Sequence, residues 1–407
     1  MDVLVVGAGP AGATAAYHLA RHGVHVLAVD KAAFPREKVC GDGLTPRGVK
    51  QLLEMGVDVT EPGFVRIEGL RSYGPGVKVE LPWPRVEAFP SFGLVRTRHD
   101  LDDLLVRGAE KAGALVWQET AAEEPVFDDQ DWVGGAVVQR EDGPPEQVRA
   151  RFVIAADGAS SRFAQRAGVR RDPSRPLGIA ARRYFRSPVA QDPYFLSWLD
   201  LQRGDNYLPG YGWIFPVGDG ILNVGAGLLN TARGFRTLSA RKVYDLFVSR
   251  LPDEWGCTEE NAAGPILSGP LPMGMNRTPL AVPGLLVVGD AGGIVNPFNG
   301  EGIAYAMESG RLAAELVHEA LALDRPGLAH IYPTLLRERY GRYFSIGRAF
   351  VKAIGYPAVM RSAVRYGLPR ERLMAFLLKV MANLTDGRDG DLDDRIMDAL
   401  LRLAPRR

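Results

Sequence analysis

The stretch DVLVVGAGPAGATAAYHLARHGVHVLAVDK, residues 2–31, decides the fold. Val3–Val6 is an unbroken apolar run of strand length, Ala13–Arg21 reads as a helix, and His25–Val29 as a second strand ending on Asp30. Gly7, Gly9 and Gly12 are spaced G-x-G-x-x-G between the first strand and the helix, and Asp30 follows 18 residues after Gly12. In such a unit Gly7 turns the chain, Gly9 lets a pyrophosphate approach the backbone, and Gly12 lets helix pack on strand. The helix N-terminus then faces the phosphates, and Asp30 accepts from a ribose hydroxyl. The reading predicts a dinucleotide site contacted by Gly7, Ala8, Gly9, Pro10, Ala11, Gly12, Asp30 and Lys31. The competing reading is a tight strand–helix turn that binds nothing.

The rest of the composition narrows the class. The chain has 407 residues, 46% hydrophobic and 24% charged, which is ordinary globular composition and enough for more than one domain. A net charge of +1 gives no field toward nucleic acid, so no nucleic-acid partner is expected. Two distant cysteines, Cys40 and Cys257, allow neither a disulfide framework nor a zinc spacing, so no metal is expected and a reducing, cytoplasmic setting fits. The apolar N-terminus lacks a basic leader and runs into the glycine fingerprint, so it reads as folded core rather than a signal peptide. No other stretch is continuously apolar over a membrane-spanning length.

Two later stretches bear on which dinucleotide binds. RFVIAADGASSRFA, 151–164, is a strand followed by Asp157-Gly158; GLLVVGDAGGIVNPFNGEGIAYAMESGRLAAEL, 284–316, is a strand, Gly289-Asp290, a loop and a long helix. Either alone could be a strand-end turn with an aspartate cap. Together, in this order, they resemble the flavoprotein hydroxylase superfamily, which binds FAD. The resemblance implies that Asp290 holds the ribityl chain and that the following loop, with Pro297, Gly300, Gly302 and Ile303, carries the isoalloxazine. It also gives Asp157 to the cofactor, and Arg98, which opens a helix in RTRHDLDDLL, a reach to the FAD. Ala122 would meet adenine by family fold only. Helix-start N–H groups at Gly300 and Gly302 suit the negative charge of a reduced flavin. No histidine or cysteine lies in 291–303, so the FAD is expected to be non-covalent.

The expected fold class is α/β: a Rossmann-like FAD-binding domain of the flavoprotein hydroxylase type, an antiparallel-sheet substrate domain and a C-terminal helical segment. The FAD domain is assigned to 1–65, 93–170 and 265–325, the substrate domain to 66–92 and 171–264, and the helical segment to 326–407.

Two further motifs narrow the family. KVCGDGLTPRGV, 38–49, puts Cys40, Gly41, Asp42, Gly43 and Leu44 where a loop passes the flavin ring. GYGWIFP, 210–216, places Tyr211, Trp213 and Phe215 on alternate positions, hence on one face of a strand, with eight residues between Pro216 and Gly225-Ala226-Gly227. Together these resemble the geranylgeranyl reductase family, flavoenzymes that saturate double bonds in isoprenoid chains. Within it, LPGYGWIFP, DEWG, LPMG, NPFNGEGI, RYGRYFS and VMANL are similar to the actinobacterial branch acting on one isoprene unit of the menaquinone side chain. The resemblance implies a polyprenyl substrate, with Tyr211, Trp213 and Phe215 walling a tunnel for a tail that only shape and apolar burial can recognise. An ordinary aromatic core stripe is the alternative.

An unactivated alkene does not accept hydride unaided, so the expected chemistry is protonation with hydride from reduced flavin. Cys40 and Tyr211 are the candidate acids, and a bound water is a third. No second glycine fingerprint opens a helix, so the reductant, NAD(P)H or a partner reductase, must visit transiently. Other readings are a geranylgeranyl-lipid or chlorophyll-precursor reductase, an aromatic monooxygenase, and a prenyl-binding escort. Between His330 and Asn383 ten Lys/Arg stand against two Glu, on helically spaced apolar sequence. That suits peripheral attachment to the inner face of the cell membrane, or equally a helical cap with a solvated basic face. The acidic DGRDGDLDDR, 386–395, is expected to end the packed structure.

Overall fold

The computed structural model describes residues 1–140, 143–204, 206–387 and 390–405. Its first sheet has six strands in the order Ala281–Val282, Leu285–Val287, Phe152–Ala155, Val3–Val6, Val26–Val29 and Leu115–Trp117. All neighbours are parallel except the Ala281–Val282 hairpin. The four inner strands are buried and apolar throughout because both of their faces are covered. Val3 and Val5 face helices Pro10–Arg21 and Ile303–Ala322. Leu4 and Val6 face a three-stranded sheet through Val133, Ala136 and Val138. The first helix starts at Pro10, where a missing N–H costs nothing.

The second sheet has seven strands in the order Leu267–Pro272, Leu177–Arg186, Ile221–Leu229, Gly210–Gly218, Tyr194–Trp198, Gly69–Gly74 and Val77–Pro82. It is antiparallel except where Tyr194–Trp198 runs parallel to Gly69–Gly74. That exception arises because the chain enters this sheet on separate visits, so the two strands are joined by no hairpin. The strand at Leu267–Pro272 carries the sheet beyond residue 264. Helix Ala240–Val248 covers one face, its Phe247 lying where a Cβ on Gly212 would stand 2.3 Å from the ring.

Helices Arg342–Ile354, Glu371–Met381 and Leu392–Leu403 form much of the C-terminal segment. The acidic tail corrects the expectation drawn from it, although Arg388 and Asp389 lie outside the described residues. Asp391 caps Leu392–Leu403 in a reciprocal capping box, Lys379 pairs with Asp391 (2.8 Å) and Asp394 (2.9 Å), and Met397 joins the main core. The carboxylates are a helix start, where the dipole and free N–H groups stabilise negative charge.

Candidate active site

The glycine turn is held open on one side only. A Cβ on Gly12 would stand 1.8 Å from the Gly7 carbonyl oxygen, and one on Gly7 (φ 95°) 2.5 Å from the Ala156 oxygen. A Cβ on Gly9 would meet only the tips of Arg36 (3.3 Å) and Arg98 (3.9 Å). Asp30 closes the turn: its Oδ2 accepts from the Ala8 N–H (2.9 Å) and its Oδ1 from the Ala32 N–H (3.0 Å). Ala122 lies in strand Thr120–Phe127, whose Thr120 N–H donates to the Asp30 carbonyl (2.8 Å). Lys31 points to solvent, away from the others. Ala11 packs its backbone on helix Ile303–Ala322 where Gly310 has no side chain.

Cations and unpaired polar atoms gather at the open side. Arg98 forms a bidentate pair with Asp102 (2.6 and 2.8 Å), and Arg36 joins the same carboxylate (3.1 Å). The Lys38 ammonium is 3.8 Å from where a Gly158 Cβ would be. Asp157 Oδ2 caps a short helix by accepting from the Phe163 N–H (2.9 Å), but its Oδ1 is buried without a partner, as are Nε and Nη1 of Arg277. Burial pushes the Asp290 carboxyl up, against the pull of Lys38, Arg98 and Arg277. A Cβ on Gly302 would lie 3.5 Å from Asp290 Oδ1, so helix start and carboxylate adjoin. Guanidinium and ammonium tips beside a bare glycine turn, with carboxylate acceptors next to them, are a donor set that fits the diphosphate and ribityl chain of FAD.

Asp42 is the hub between this turn and the seven-stranded sheet. It is fully buried in the left-handed region (φ 66°), which short polar side chains tolerate. Its Oδ1 accepts from the Arg98 N–H (3.1 Å), and its Oδ2 from the Tyr184 hydroxyl (2.6 Å) and Asn223 Nδ2 (2.7 Å). Asn223 Nδ2 also donates to the Cys40 carbonyl (2.8 Å), and its Oδ1 accepts from Trp213 Nε1 (3.0 Å). Asn223 and Tyr184 escaped the sequence reading; a lone amide in the apolar run ILNVGAG was the signal available.

The three aromatics do share one face of strand Gly210–Gly218. The Tyr211 hydroxyl donates to the Asn299 carbonyl (2.6 Å) in the loop before helix Ile303–Ala322. Trp213 fills the space over Gly225, where a Cβ would be 2.1 Å from its ring, and its Nε1 would lie 3.3 Å from a Gly41 Cβ. Phe215 stands against Gly41, Gly43 and Phe195. Cys40 is half-buried beside them. Burial pushes its thiol up, against the pull of Arg98, while burial with Glu301 and Cys40 nearby pushes the Tyr211 hydroxyl up to about 12.

Other residues expected at the cofactor also take part in packing and turns. Pro297 is buried where Gly347 of helix Arg342–Ile354 leaves room, and Ile303 lies in a core cluster with Ala8, Leu44 and Leu101. Gly300 (φ 79°) makes the turn between them.

This architecture matches known proteins. Residues 1–203 match the FAD binding domain family. Over 410 aligned residues, all of this chain and 97% of the relative, it is 39% identical to the menaquinone reductase of Mycobacterium tuberculosis. It is 32% identical to the digeranylgeranylglycerophospholipid reductase of Thermoplasma volcanium, over 84% of each chain. The crystal structure of a geranylgeranyl bacteriochlorophyll reductase-like protein from Thermoplasma acidophilum superposes with a TM-score of 0.79 at 26% identity, over 98% of both chains. With that likeness along its whole length, the chain belongs to the geranylgeranyl reductase family of FAD-dependent oxidoreductases.

Proposed function

We propose that the protein saturates a carbon–carbon double bond in a polyprenyl chain, at one isoprene unit of the menaquinone side chain. FAD is held non-covalently and reduced by NAD(P)H or a partner reductase. The observation that carries this reading is the aromatic strand, which runs from the Asn299 loop to Gly41 and Gly43 with Cys40 beside it. The menaquinone reductase relative at 39% identity supports the choice of quinone.

When bound and reduced, FAD supplies the hydride. The chain's own task is to hold a proton and deliver it to the less substituted alkene carbon, so that charge at the tertiary carbon is met as it develops. Cys40 suits that task, because its raised pKa keeps the proton on Sγ. As its S–H bond breaks and the C–H bond forms, the thiolate is left beside the Arg98 guanidinium. The Tyr211 proton is engaged by the Asn299 carbonyl. The faces of Tyr211 and Trp213 attract the transient positive charge.

Delivery of the tail from a membrane surface is part of the proposal. Among the described residues no helix is long and apolar enough to cross a membrane. Tyr356, Val359, Tyr366 and Leu373 are exposed beside exposed Arg361, Arg365, Arg370 and Arg372. On the inner side of the same helices, Leu368 and Leu378 share a cluster with Phe195 and Phe215. Binding to anionic vesicles should therefore weaken with salt; no binding to such vesicles would remove the membrane from the proposal.

The test is mass spectrometry of menaquinone after incubation with chemically reduced enzyme. One added pair of hydrogens in the prenyl chain is expected. An unchanged quinone, with a prenyl lipid reduced in its place, would reassign the substrate.

A further inference from the structure

The loop that carries Cys40 crosses the sheet face of Trp213 and Phe215 without backbone pairing. Among the described residues, none of residues 37–41 makes a hydrogen bond from its backbone to another backbone group. Side chains of the sheet hold the loop in their place. Arg182 Nη2 donates to the Lys38 carbonyl (3.3 Å) and pairs with Glu37 (2.8 Å). Asn223 Nδ2 donates to the Cys40 carbonyl (2.8 Å) and to Asp42 Oδ2 (2.7 Å), which also accepts from the Tyr184 hydroxyl (2.6 Å). Lys38, Cys40 and Asp42 alternate along the loop, as Arg182 and Tyr184 do along strand Leu177–Arg186, and Asn223 stands opposite Tyr184 on the next strand. A two-residue step in the loop thus meets a two-residue step in the sheet.

Asn223 has no freedom of its own. Its side chain is fully buried, and its Oδ1 accepts from Trp213 Nε1 (3.0 Å). An indole N–H can only donate, whereas a carbonyl and an ionised carboxylate can only accept, so the amide stands in one orientation. Trp213 is fixed independently, because its ring fills the space over Gly225, where a Cβ would be 2.1 Å from it. A line of hydrogen bonds therefore runs from a locked ring, through one amide, to the carbonyl of the residue that bears the thiol. Gly41 follows Cys40 directly, so the local backbone adds little stiffness of its own.

We propose that Asn223 is the positioning residue of the protonation step: by holding the Cys40 carbonyl it keeps the thiol in one place relative to Trp213, and so relative to an alkene lying on the aromatic strand. This rests on the polyprenyl-reductase reading with Cys40 as the acid. Asn223 gives and takes no proton in the reaction; it acts through the place it gives Cys40. Without it the tail would still lie on the aromatic faces, but the acid would be displaced from the carbon it protonates. A displacement of about 1 Å can cost about a hundredfold in rate.

The test is Asn223→Leu, similar in size but unable to make any of the three bonds, in FAD-loaded enzyme with Cys40 intact and in Cys40→Ala. With Cys40 intact, kcat for prenyl reduction should fall about tenfold or more while KM stays within about twofold. In Cys40→Ala the same substitution should change kcat by less than about twofold, because no thiol is left to place. Equal losses in both backgrounds, a loss in KM alone, or an unchanged kcat would each overturn the proposal. Iodoacetamide labelling of Cys40, located by peptide mass spectrometry, needs no substrate and should quicken about fivefold or more in Asn223→Leu; an unchanged rate overturns the proposal. Trp213→Phe keeps a ring over Gly225 and removes the Nε1 donor that orients the amide, so labelling of Cys40 should again quicken. An unmoved rate there counts against the proposal even where Asn223→Leu does not fold. If the wild type reduces no prenyl chain, the substrate reading falls, while the labelling rates still stand for or against Asn223 as the residue that places Cys40.

Discussion

Around Gly9 the backbone is left bare, whereas at Gly212 and Gly225 the space of a side chain is filled by the protein's own rings. A Cβ on Gly9 would meet only the ends of two arginines, while one on Gly225 would be 2.1 Å from Trp213 and one on Gly212 2.3 Å from Phe247. Beside the glycine fingerprint, glycine makes a hollow bordered by the arginine ends of Arg36 and Arg98. In the seven-stranded sheet it makes a socket that locks an aromatic ring in place. The lesson is that glycine spacing announces a close approach without saying what approaches. The neighbouring charges or rings decide that.

Substitutions can break or sharpen this contrast. Trp213→Ala should have the largest effect, about 3–5 kcal/mol of stability, since it empties a filled socket and leaves Asn223 Oδ1 without its donor. Urea unfolding measures the loss. FAD content should hold, and fragmentation of the product should show saturation at more than one position, because the tail is no longer held in register. A single product at the wild-type rate would make the strand ordinary core.

Cys40→Ala acts at the seam between hollow and socket. Prenyl reduction should fall by about a hundredfold, about 2.7 kcal/mol, while flavin reduction by dithionite stays normal. Equal rates would transfer the proton to water or Tyr211.

Asp290→Ala acts in the hollow alone. It should weaken FAD binding by about 1–3 kcal/mol, read from flavin retained on dialysis, with little change in the unfolding midpoint of the apoprotein. Full flavin occupancy would move Asp290 out of the site.

The smallest effect is expected from Gly9→Ala. Its Cβ would be 3.3 Å from the flexible end of Arg36, so fold stability should change by no more than about 0.5 kcal/mol, and any loss should appear as FAD affinity. A large drop in apoprotein stability would mean that the hollow is a packed turn after all.

Local pattern made much of this legible. The strand–turn–helix–strand unit at 2–31 is decided by apolar runs and by glycines within the turn, as at Gly12, whose nearest neighbour is the Gly7 carbonyl. The shared face of Tyr211, Trp213 and Phe215 follows from a two-residue period alone. What escaped were contacts between distant parts of the chain. Asn223 meets Asp42 across 181 positions, and Arg47 meets Asn383 across 336. The acidic tail was misread for the same reason: its capped helix is held by Lys379 and by core contacts of Met397, which no local composition reveals.

By itself, then, the sequence determined the kind of cofactor site and the direction in which the aromatic strand points, because both depend on backbone sterics and a short repeat. Only the tertiary structure decided which loops that strand spans, and that Asp42 and Asn223 tie Cys40 to Trp213. The physical reason is that the energy of a buried charge or hydrogen-bonding group depends on its desolvation and on the partners that reach it. Those partners are brought together by folding, from positions hundreds of residues apart.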